Sequence, residues 1–123
     1  MTKRVLALGL DPAFADLSEF PQLTAGAVRA FVDQQLERVR ALGVEVECCL
    51  VDGGETAEDA VALAFAAGPF DGVLFGAGLR APAHLLLFER LVNLVHARAP
   101  GAKLCFNASP ADSAEAIQRS GIV

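Results

Sequence analysis

The chain has no tryptophan and no tyrosine, one methionine, two histidines and three cysteines among 123 residues. Each shortage closes a route. Cys48, Cys49 and Cys105 are an adjacent pair plus one distant residue, which is neither a disulfide framework nor a metal-ligand spacing. The expectation is reduced core thiols inside strands, with no metal. Basic blocks are also missing. The formal net charge is −5 and the charges are scattered, so no face suited to nucleic acid is expected. No apolar run approaches the ~20 residues that span a bilayer. The apolar stretch within the first ten residues has a signal-peptide look. It is too short, and Asp11-Pro12 stops it where a cleavage region would begin. These shortages together predict a cytoplasmic protein without membrane or nucleic-acid partners.

What is present is hydrophobic: 54% of the residues, which excludes disorder and fits a single domain over residues 1–123. Val5–Leu10 is a continuous apolar run, the pattern of a strand buried on both faces. A loop follows from Asp11 to Leu23. Thr24 then opens a helix to about Leu42, with Gly43 as its stop. In Val44–Val51, Glu45 and Glu47 alternate with apolar residues, as suits an edge strand. Thr56 and Asp59 predict a capping box for a helix over Ala57–Ala67, and Gly72–Phe75 is again uninterruptedly apolar. Pro82 suits the first turn of a helix running to Arg98. Lys103–Asn107 is the last strand, and Ser109-Pro110-Ala111-Asp112 caps a short final helix over Asp112–Arg119.

Alternating strands and helices with right-handed crossovers predict a three-layer α/β/α domain. The two fully apolar strands belong in the middle and the charged one at an edge. The parallel sheet of four strands then has the order 2-1-3-4, a short flavodoxin-like or Rossmann-like sheet. In such sheets ligands bind at the carboxyl ends of the strands, where the chain direction reverses.

Asp11, Gly76, Gly78, Arg80 and Asn107 all fall at that edge. Glycines at 76 and 78 would allow positive φ and close approach to a ligand, and Arg80 before a helix N-terminus would favour a carboxylate or phosphate. The plain alternative is a tight turn with Arg80 solvated or paired with Asp11. His84 falls within the arc of Leu87, Phe88, Leu91 and Val95, which turns it toward the sheet as an acid, base or ligand donor. A structural histidine at a helix start is the alternative. The loop with Phe14 and Phe20 exceeds the usual connection length and reads as a lid, a core cover or a docking surface. The wide apolar arc of the helix Pro82–Arg98 predicts a homodimer through that helix, with help from the fourth strand.

The layout of strands two to four is similar to type II dehydroquinases, with a Gly/Ala turn after strand three and Asn107 ending strand four. Those enzymes depend on a first-loop tyrosine, and this chain has none. The stretch Gly76-Ala77-Gly78-Leu79-Arg80 through Leu85-Leu86-Leu87-Phe88-Glu89, with Val95-His96, Ala99-Pro100 and Cys105-Phe106-Asn107, resembles a group of small bacterial flavodoxin-like proteins described as hypothetical. That resemblance covers most of the chain from Thr24 onward. It implies the fold and carries no activity.

Two functions follow from the residues. The first is an oligomeric module binding a small anionic ligand at Gly76, Gly78, Arg80 and Asn107, with no cofactor. The second is a non-metal lyase or hydrolase acting on a small carboxylated or phosphorylated substrate, with His84 as acid/base and Asp11 orienting it.

Overall fold

Alternation along the first strand sets the layers. In the computed structural model, which describes residues 2–123, β1 (Arg4–Leu10) turns Leu6 and Leu8 to one face and Val5 and Ala7 to the other. It runs between β2 (Glu45–Val51) and β3 (Gly72–Phe75), and β4 (Lys103–Phe106) closes the far edge. All pairings are parallel, in the expected order β2-β1-β3-β4. The helices α1 (Ala25–Arg40) and α4 (Ser113–Ser120) cover the Val5–Ala7 face. The helices α2 (Ala57–Ala66) and α3 (Leu85–Arg98) cover the other. The result is the three-layer α/β/α architecture expected from the pattern.

Burial explains the order. Leu6, Leu8, Val73 and Phe75 are at most 2% exposed, each contributing roughly 1.5–3 kcal/mol relative to an exposed side chain. The edge strand β2 exposes Glu45 and Glu47, and both meet Arg4 of the adjoining strand, at 3.6 and 3.8 Å. Among the described residues, no helix is long and apolar enough to cross a membrane.

Local signals hold in part. Thr24 caps α1 by accepting from the Ala27 N–H, and Gly43 takes φ +93° just beyond that helix. Ser109 and Asp112 make a reciprocal capping box, but it opens a 3-10 turn (Pro110–Asp112), and α4 begins only at Ser113. The box predicted at Thr56 and Asp59 does not form. The Thr56 hydroxyl donates instead to Asp52 Oδ2 at 2.7 Å, because Asp52 already gathers the Gly54 and Thr56 N–H groups. The helix expected from Pro82 is likewise split: Pro82–His84 is a 3-10 turn, and α3 starts at Leu85.

Candidate functional site

Side-chain size falls along one face of β1. Toward α2 and α3 it presents Leu6, Leu8 and Leu10, large to the end of the strand. Toward α1 it presents Val5, Ala7 and then Gly9, nearly nothing at the carboxyl end. The helix α1 answers unevenly: Leu36 and Val39 in its second half are buried, whereas Val28 and Val32 near its start are only half-buried. Between the thinning strand and the start of α1 lies a cavity of about 450 Å³. Leu50 takes part of the room left at Gly9, since a Cβ there would sit 3.3 Å from its Cδ2. Ala7, Gly9 and Leu74 make the floor. Val28, Val32 and Leu36 form one wall, and Pro12, Ala15, Leu17 and Phe20 of the first loop close another. The first loop therefore covers this cavity. Its size and mostly apolar lining match small-molecule sites, as does its place at the carboxyl ends of the strands.

Gly76, Gly78 and Asn107 all line it. The glycines do so differently from expectation. Neither takes positive φ: Gly76 has φ −69°, and residues Ala77–Arg80 form a 3-10 turn. Gly76 is needed for closeness, because its N–H bonds the Leu8 carbonyl at 2.8 Å and a Cβ would lie 3.2 Å from that oxygen.

Asn107 is one of the cavity's polar lining residues. It is 4% exposed, and its Nδ2 donates to Ser113 Oγ at 3.1 Å. The Ser113 hydroxyl in turn donates to the Pro110 carbonyl at 2.8 Å. Asn107 Oδ1 is buried without a hydrogen-bond partner among the described residues, a situation rare enough in proteins to need a cause.

Arg80, Asp11 and His84 do not belong to the lining. The Arg80 guanidinium turns back on its own sheet, donating to the Phe75 carbonyl at 2.7 Å and to the Asn107 carbonyl, beside the Phe106 ring. Burial lowers its pKa, with Asp112 opposing the shift; an arginine stays charged regardless. The helix it was expected to precede starts five residues later. Asp11 pairs with Arg29 rather than Arg80, at 2.5 Å, and also accepts from the Ala13 N–H. That backbone bond, with Arg29, holds its carboxyl below the usual range. His84 ends the 3-10 turn just before α3, which lies in the layer opposite the cavity.

Arg29 and Ser113 line the cavity and were not singled out from the sequence. A signal existed for Arg29. A helix after a strand starts near that strand's carboxyl end, so the first turns of α1 had to approach the site. Cys48 also lines the cavity and is exposed, contrary to the expectation of a core thiol. Although the residue is exposed, neighbouring protein atoms desolvate its thiol and Asp33 adds to the effect, raising the pKa.

No protein-family model and no curated protein matches the chain. A de novo designed Rossmann fold protein is similar to it, at 14% identity and a TM-score of 0.49, over 99% of this chain and 100% of its own.

Proposed function

We propose that this chain is a binding module for a small, predominantly apolar molecule held at the carboxyl ends of β1 and β3. The observation that carries this reading is the cavity of about 450 Å³ between the thinning end of β1, the start of α1 and the first loop. Its apolar walls supply burial, with Arg29, Asn107 and Ser113 among the polar residues of the lining. The resemblance to small bacterial flavodoxin-like proteins agrees with this fold and adds no activity. A negatively charged ligand, expected from Arg80, fits only at the rim. There Arg29 would exchange Asp11 for the ligand's anionic group, since Arg80 is held by two carbonyls. Lyase or hydrolase chemistry on His84 is the weaker reading, because that histidine immediately precedes a helix in the opposite layer.

Filling the floor tests the proposal. Ala7 lines the cavity and faces α1. Ala7→Leu places three further carbons there, which a packed core resists at a cost of about 1–3 kcal/mol but a hollow accepts. The expected outcome is an unfolding free energy within about 1 kcal/mol of the parent. Affinity for an apolar ligand found by screening should fall at least tenfold. A variant that folds and keeps its affinity refutes the site; a variant that unfolds refutes the hollow.

A further inference from the structure

The chain between Asp11 and Thr24 bonds only within itself. Among the described residues, the hydrogen bonds of residues 12–23 run from the Ala13 and Phe14 N–H groups to Asp11, from Ala15 to Pro12, from Ser18 to Asp16, from Phe20 to Leu17 and from Leu23 to Phe20. None reaches the sheet or a helix. The polar ties to the body stand at the two ends. The Asp11 N–H donates to the Val51 carbonyl at 2.8 Å, the Asp11 carboxylate accepts from Arg29 of α1, and Thr24 caps that helix. Between those ends side chains alone hold the segment down, and they do so loosely. Pro12 is buried and Ala15 and Leu17 are half-buried, whereas Phe20 lines the cavity with 53% of its surface in water. A cover over a filled core would bury that ring; this one sits over a hollow. A segment whose hydrogen bonds are internal can move as one piece without leaving a backbone group unpaired, at the cost of its apolar contacts alone.

We propose that residues 12–23 form a flap over the cavity, pivoting at Asp11 and Thr24, and that an apolar molecule bound in the cavity holds the flap shut. This rests on the binding reading above and adds how the site opens and closes. An empty hollow gives Leu17 and Phe20 little to pack against. A bound molecule fills it and completes their burial, so it binds the shut form better than the open one and shifts the balance toward it. The ion pair of Asp11 with Arg29 stands at one pivot and latches the flap to the helix that walls the cavity.

Limited proteolysis of the full chain tests the flap, with 1-octanol as the apolar probe and its Kd measured by calorimetry. Chymotrypsin cuts after large apolar residues, and the flap offers Phe14, Leu17, Phe20 and Leu23. The first cuts should fall there, at a rate nearly independent of urea below the unfolding midpoint, because a swinging flap exposes little buried surface. Octanol at ten times its Kd should slow these cuts about tenfold, the mass-action factor for cleavage from the open form alone. A free peptide of residues 11–24 controls for any effect of octanol on the protease. Asp11→Asn keeps an acceptor for the Ala13 N–H and removes the charge that Arg29 holds, so it should speed the flap cuts at least threefold without octanol. An unchanged rate in that variant refutes the latch. First cuts elsewhere, or a rate that climbs steeply with urea, overturn the flap, and so does octanol that binds without slowing the cuts; in each case the binding reading stands. Octanol that gives no binding heat, or binds Ala7→Leu as well as the parent, overturns both.

Discussion

Replacing Arg80 with alanine removes two charged donors that tie together the carboxyl ends of β3 and β4. The guanidinium reaches Phe75 O at 2.7 Å and Asn107 O across 27 residues of sequence. A hydrogen bond to a charged group contributes about 1.5–3 kcal/mol when buried. This side chain is only half-buried and water can reach part of it, so a total of about 2–4 kcal/mol is the reasoned loss. In a domain of this size that is a fall in Tm of roughly 5–15 °C. Urea unfolding followed by circular dichroism should give a lower midpoint at an unchanged slope. Arg80→Lys should recover less than half of the loss, because one ammonium lacks the planar fork that spans two carbonyls. A loss below about 0.5 kcal/mol, the size of an ordinary surface substitution, would refute the reasoning. So would an intact fold accompanied by selective loss of an anionic ligand, the pattern of a binding arginine.

Acid should loosen the loops first. Hydrogen bonds from Ala13 N–H to Asp11, from Ser18 to Asp16, from Gly54 N–H to Asp52 and from Ser109 N–H to Asp112 lower all four carboxyl pKa values below 3.8. A depressed folded value means that the unfolded chain binds protons first as pH falls, so the stabilisation is present above 3.8 and fades below it. Thermal melts should be flat from pH 7 to 5 and decline below 4, and a melt insensitive to pH there would contradict the loop bonding. Leu85 and Leu86 are 57% and 71% exposed, and Leu104 and Phe106 on the β4 edge are 40% exposed each. A homodimer through α3 and that edge should scatter light at micromolar concentration as twice the 12.8 kDa chain mass, and Leu86→Glu should return the single mass; a monomeric parent rejects it.

Much of the fold was legible because its signals are local. Continuous apolar runs marked β1 and β3, and Glu45 and Glu47 marked β2 as an edge; right-handed crossovers then left one strand order. Thr24 and Ser109 were readable as caps because each bonds within three residues of itself. Thr56 was misread for a reason equally local: Asp52 stands four residues before it and competes for its hydroxyl. Of the wide apolar arc of α3, Phe88, Val92 and Leu94 pack against the chain's own core. The surplus left for a partner is Leu85, with Leu86 beside it.

The candidate site was legible in position and not in polarity, and the two have different physical origins. Position follows from topology, which brings Gly76, Gly78 and Asn107 to one edge whatever their side chains do. Polarity depends on which groups remain unpaired after folding, and pairing is decided across long separations. Arg80 read as a free cation because the carbonyls that take it belong to the ends of two neighbouring strands. Asn107 gave no hint that its oxygen would be orphaned, since that depends on Ser113 spending its proton on Pro110. The hollow itself was written in plain sight, in the descent from Val5 through Ala7 to Gly9 beside an unbroken Leu6, Leu8 and Leu10. A strand facing two helical layers fills both when its residues stay large. One whose residues shrink toward the carboxyl end on a single face leaves space there, in the layer where ligands of this topology bind.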